Sequence, residues 1–132
     1  MWAVSEPYTT QALALAERWG RDGIRLLAPC LLLAEVTNAL YKRVLRGEMS
    51  LPTAQAALEV VLSFDIELRE EPGLARRALS LASRLQRATT YDCHYLALAE
   101  HHDCPLWTGD RRFYNAIHRA QPRVQWVGAY KG

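Results

Sequence analysis

Read as a string of apolar and polar positions, the chain alternates between a helical period and short unbroken apolar runs. Ala12, Leu13, Leu15, Ala16 and Trp19 form one stripe, so a helix is predicted from Pro7 to Trp19, with Gly20 and Gly23 ending it. Ile24 to Ala28 is a short, mainly apolar run, broken by Arg25, that fits a buried strand. Pro29 opens a long helical pattern to about Arg46, stopped by Gly47. Ser50, Leu51 and Pro52 start another, whose Ala56, Ala57, Val60 and Val61 lead to Phe64. Ile66 to Arg69 is a short strand candidate. Gly73 to Arg87 reads as a helix with Leu74, Ala78, Leu81, Ala82 and Leu85 inward and arginines outward. Tyr91 to His102 is the next helix, Pro105 to Thr108 a strand, Asp110 to Ala120 a helix and Val124 to Val127 a last strand.

Helices alternating with short apolar strands imply an α/β fold, a mostly parallel sheet covered on both faces. No repeat or linker divides the pattern, and 132 residues suit one domain, residues 1–132. In such sheets functional groups gather at the carboxyl ends of strands and the amino ends of the helices that follow.

Composition narrows the setting. Half the residues are hydrophobic, enough for a packed core, yet no apolar run approaches the roughly 18 residues of a membrane helix. No signal-peptide plan opens the chain, so the expected location is cytoplasmic, away from membranes. Three loosely spaced cysteines, Cys30, Cys93 and Cys104, cannot all pair within one chain and fit a reducing compartment. The formal charge of +2 is uninformative, but its distribution is not. Pro72 to Tyr91 carries Arg76, Arg77, Arg84 and Arg87 with no acid. From Arg111 onward come Arg111, Arg112, Arg119, Arg123 and Lys131, again with no acid. Such stretches suit phosphate groups, although a solvated helix face gives the same pattern.

Three acids fall where the topology rule points. Glu35 interrupts the apolar run Leu31 to Val36 early in a helix, where an ionised carboxylate needs a partner. Asn38 lies three residues on, on the same face, placed to hydrogen-bond it. Asp92 opens the helix that starts at Tyr91, and Asp110 follows Thr108 and Gly109 just before another. Each alone is explained as a dipole-favoured or capping acid. Three at equivalent places suggest a shared divalent cation, Mg²⁺ or Mn²⁺, able to activate water at a phosphodiester.

A second constellation is Cys93, His94, His101, His102 and Cys104. Its spacing matches no common structural zinc pattern, and within a helix Cys93 and His94 point away from the histidine pair. Cys93 and Cys104 read more simply as small buried residues. No glycine-rich phosphate loop is present.

These residues resemble the PIN domain family, and within it the VapC-type toxins of toxin–antitoxin pairs. Ala28 to Leu40, containing Pro29, Glu35 and Asn38, looks like the family's first acidic helix. Thr89 to Ala99, with Asp92, looks like its second, and Thr108-Gly109-Asp110 like its Thr-x-Asp turn. The resemblance implies a three-layer α/β/α fold and a metal-dependent endoribonuclease. Glu35, Asp92 and Asp110 would hold Mg²⁺ or Mn²⁺, supported by Asn38 and Thr108. Arg76, Arg77, Arg111 and Arg112 would hold the RNA backbone. A cognate antitoxin and a homodimer are the implied partners.

The resemblance also implies a fourth acid, an aspartate ending a leading strand at the sheet centre. Met1 stands directly before Trp2 and the Glu6-Pro7 approach to the first helix, and no acid in the chain matches that aspartate. The expectation is therefore a sheet lacking its central first strand, with a gap there, and impaired cleavage. The competing expectation is a catalytically silent PIN-like module that binds an antitoxin or RNA without cutting. A zinc-stabilised helical interaction domain is a third.

Overall fold

The structure, a computed structural model, describes residue 15 and residues 17–129. The predicted helix from Pro7 lies mostly outside the described residues. Its final turns are helical at 17–21, and Trp19 lies against Trp107 with ring centroids 5.8 Å apart.

Strand β1 (Leu26–Pro29) pairs in parallel with β2 (Ile66–Arg69), Leu26 opposite Ile66. The crossover between them is a helical hairpin, α1 (Leu31–Leu45) and α2 (Leu51–Ser63). Helices α3 (Leu74–Arg84) and α4 (Tyr91–His101) lead to β3 (Leu106–Thr108). Helix α5 (Arg111–Ile117) then crosses to β4 (Val124–Trp126), which is parallel to β3, and a 3₁₀ turn follows at Val127–Ala129. Among the described residues the strands form two separate pairs, β1–β2 and β3–β4, with no hydrogen-bonded ladder joining them.

What joins the halves is α4. Its apolar residues are not confined to one stripe, and Cys93, Tyr95, Leu96, Ala97, Leu98 and Ala99 are all buried. A helix apolar on all sides is buried on all sides, and α4 packs against α3, β1 and β3. Helix α3 supplies a clean two-faced partner: Leu74, Ala78, Leu81 and Ala82 are inside, Arg76 and Arg84 outside. In α1 the buried residues Leu32, Val36 and Leu40 recur every four positions and leave Glu35 half-buried at the edge of the stripe.

Capping follows ordinary chemistry. Ser50 accepts a hydrogen bond from the Thr53 amide at 3.2 Å, and Pro52 sits in the first turn of α2, where no donor is missed. Gly73 begins α3 at φ 82°, a conformation that favours glycine.

Several predicted boundaries need correction; among them, the helix expected to reach Arg87 ends at Arg84. The first strand runs over Leu26–Pro29 rather than from Ile24, whose side chain is half exposed. Pro29 therefore closes a strand instead of opening a helix, and α1 begins at Leu31 after Cys30. The last helix ends at Ile117, short of Ala120. Cys30, Cys93 and Cys104 are all free thiols. No helix among the described residues is long and apolar enough to cross a membrane.

Candidate active site

Each predicted acid stands near a helix start. Glu35 lies one turn into α1, Asp92 in the first turn of α4, and Asp110 is the N-cap of α5. Asp110 Oδ1 accepts from the Phe113 amide at 3.1 Å, and the Asp110 amide donates to Thr108 Oγ1 at 3.0 Å. Thr108 is the buried polar residue of the core, 2% exposed, so its hydroxyl is fixed and so is the turn it holds.

The three carboxylates share one electrostatic field. Burial pushes the Asp92 carboxyl above the usual aspartate range; Asp110 and Glu35 push it the same way, and Arg87 opposes them. Charge repulsion of this kind disfavours three ionised acids together unless a cation joins them. Their oxygens are not drawn in tightly. The described group of acids and histidines whose ligand atoms all lie within 4.8 Å of one another is a different one, Glu71, His101 and His102.

Sequence reasoning missed a partner. Glu35 Oε1 accepts a 2.6 Å hydrogen bond from the Tyr95 hydroxyl, whereas Asn38, expected to steady it, is exposed and makes no such bond. Tyr95 follows Asp92 by three residues and so shares its face of α4. Burial first, then the Glu35 bond, raises the Tyr95 phenol above its usual value, so it stays a proton donor. A signal was present in the spacing from Asp92 to Tyr95, but a tyrosine inside an apolar run reads first as core.

The arginines divide. Arg87 lies over the Phe113 ring at 5.3 Å and within electrostatic reach of Asp92. Arg111 stacks on Trp126 at 4.6 Å. Arg76 and Arg112 are exposed. Arg77 is held bidentate by Glu100, at 2.8 and 3.0 Å, and a phosphate would have to compete for it. Asp22, Asp65 and Asp103 are exposed, as expected of loop acids.

The five-residue zinc constellation does not assemble as a unit. Cys93 is fully buried, its thiol pushed up by burial and by Asp92, and it lies at the opposite end of α4 from the histidine pair. A raised, buried thiol is a poor nucleophile and a poor ligand. His94 Nδ1 is engaged with the Thr90 carbonyl at 2.9 Å.

Comparison with known proteins identifies the family. Ribonuclease VapC1 of Mycobacterium tuberculosis, from strain CDC 1551 / Oshkosh and from strain ATCC 25618 / H37Rv, is 41% identical over 86 residues, 64% of this chain. The matched stretch spans 62% of the length of each of these relatives. No solved structure matches significantly. The sequence profile of the PIN domain, a three-layer α/β/α fold, matches residues 5–118, most of the chain and all three acids. The chain belongs to the PIN domain family.

Proposed function

We propose that this chain is a metal-dependent endoribonuclease of the VapC toxin type, with Glu35, Asp92 and Asp110 as its catalytic carboxylates. The observation that carries the reading is that the half-buried Asp92 lies within electrostatic reach of both Asp110 and Glu35, each acid standing near a helix start. A structural capping residue does not need two acidic neighbours. The relatives named ribonucleases support RNA as the substrate.

The donor set is all oxygen, which suits Mg²⁺ or Mn²⁺ rather than a softer ion. When bound, such a cation lowers the pKa of water and stabilises charge on a phosphodiester. The chain's own residues prepare that site. Tyr95 fixes one oxygen of Glu35 and leaves the other free. Thr108 and the Phe113 amide orient Asp110. Arg87 supplies a positive charge beside the acids, and Arg76, Arg111 and Arg112 offer further phosphate contacts, with Arg77 joining them only by leaving Glu100.

Partners follow from the same family reading. The α1–α2 pair exposes Tyr41, Leu45, Leu51, Val60 and Leu62, an apolar surface suited to a second copy or a cognate antitoxin. Sedimentation should show a dimer, and a monomer at high concentration would remove that part of the proposal. Cytoplasmic residence fits the three free thiols.

The experiment is cleavage of single-stranded RNA with Mn²⁺ or with EDTA, beside Mn²⁺ titration, for the parent chain, Asp92→Asn and Asp110→Asn. Metal-dependent cutting, even if slow, that both variants lose is the expected result. Cutting that survives EDTA or Asp92→Asn would overturn the assignment. Metal binding lost in the variants, with no cutting by the parent, would favour a non-cutting module that holds RNA or antitoxin.

A further inference from the structure

We propose that Glu71, His101 and His102 form a second metal site, specific for a borderline transition ion such as Zn²⁺ and separate from the carboxylate site. One ligand atom from each residue lies within 4.8 Å of the other two. His102 Nε2 is 2.9 Å from Glu71 Oε1, and His101 Nε2 is 3.9 Å from Glu71 Oε2. Two imidazoles and one carboxylate favour zinc, copper or nickel over magnesium, because imidazole is a poor ligand for hard ions. Four-coordinate zinc needs nitrogen and oxygen at about 2.0–2.2 Å. Tetrahedral ligands at that distance stand roughly 3.3–3.6 Å from one another, between the 2.9 Å and 3.9 Å separations of the two histidines from Glu71.

The helix end favours a cation there. His101 ends α4 and His102 is its C-cap, so both stand at the negative end of the helix dipole. Glu71 Oε1 already accepts from Arg69 Nε at 2.9 Å, a bond that orients the carboxylate and leaves Oε2 facing His101. Orienting donors of this kind usually accompany metal ligands. Zn²⁺ would bind the Nε2 lone pair of the Nδ1–H tautomer of each imidazole; a ring that donates from Nε2 in the free chain gives that proton to water and takes one at Nδ1. Glu71 and His101 also border a cleft of about 240 Å³, shared with Gly73, Leu74, Ala97 and Glu100, which gives water access to a fourth position.

The two sites lie at opposite ends of α4. Asp92 and His101 are nine positions apart on the same helix, a rise of roughly 14 Å. Different donors and that separation make them independent in composition. Zinc at the second site would tie the β2–α3 connection to the end of α4.

The test uses the untagged chain, titrated with Zn²⁺ by calorimetry and with Co²⁺ by absorption. One equivalent should bind at this site, beyond any held by the carboxylates, with visible ligand-field bands and no thiolate charge-transfer band in the near ultraviolet. Glu71→Gln, His101→Gln and His102→Gln should each weaken Zn²⁺ binding by roughly tenfold or more. Asp92→Asn should leave it unchanged. All three substituted residues are at least partly exposed, and circular dichroism with Mn²⁺ titration confirms that the variants fold and keep the other site. Equal Zn²⁺ affinity in parent and histidine variants, loss of Zn²⁺ binding in Asp92→Asn, or a thiolate band with Co²⁺ would each overturn the proposal.

Discussion

Replacing Asp92 with asparagine keeps the side chain's shape and removes its charge. In the folded chain, burial, Asp110 and Glu35 hold the Asp92 proton to higher pH than in the unfolded chain. The folded state therefore binds more protons between the two values, and stability falls as pH rises from the ordinary aspartate range through the raised one. Below that window the cost is absent, and above it the cost is complete. Asparagine never ionises, so its advantage should emerge across the same window and persist at neutral pH. Substitutions that relieve an unfavourable arrangement commonly add about 0.5–2 kcal/mol. Against this, Asp92 sits in the first turn of α4, where a negative charge is favoured by about 0.3–1 kcal/mol. The net expectation is a gain of about 1 kcal/mol, or roughly 4 °C in Tm for a domain of this size. Metal reverses the ranking. At about a hundred times its Kd, Mn²⁺ should add about 2.7 kcal/mol to a chain that binds it, and Asp92→Asn should lose most of that. Calorimetric melts in acidic and neutral buffer, each with and without Mn²⁺, read both effects. The reasoning fails if the variant melts below the parent in neutral, metal-free buffer, or if Mn²⁺ raises both melting points equally.

Two further substitutions separate structure from chemistry. Tyr95→Phe removes the 2.6 Å bond to Glu35 and should weaken Mn²⁺ binding by about 10–100-fold; an unchanged Mn²⁺ titration would show that Glu35 needs no such support. Asp110→Ala removes the cap on the Phe113 amide and should cost about 1 kcal/mol. Asp110→Asn retains that cap but should lose metal affinity, and thermal melts showing the asparagine variant as unstable as the alanine one would contradict the separation.

Elements with a strong local signal were legible in the chain. The two-faced α3 and the stripe of α1 announce themselves by spacing, because one face must meet a core. The position of the three acids near helix starts was legible, because helix starts concentrate both capping groups and functional carboxylates. Partners distant in sequence were not. Glu35 and Tyr95 are 60 residues apart, and nothing local marks a tyrosine within Tyr95 to Ala99 as a donor rather than core. Glu71 reads as an unremarkable loop acid until the fold places it under His102, 31 residues on. Arg77 looked like a free cation because Glu100, which holds it, belongs to another helix. The zinc reading gathered its ligands from neighbours along one helix, whereas the histidines meet a carboxylate from a different segment.

The separation of the two strand pairs also bears on the order in which the chain folds. Leu106 pairs with Val124 across 18 residues, and Leu26 with Ile66 across 40. Closing the longer loop costs about 0.7 kcal/mol more in chain entropy. Neither pair waits on hydrogen bonds from the other, so the β3–α5–β4 unit should form first, with the β1–β2 unit captured later through α4. Truncating Val124 to alanine should then slow refolding, while truncating Leu27 should chiefly speed unfolding. Stopped-flow chevrons with those two effects exchanged would assign the nucleus to the other half.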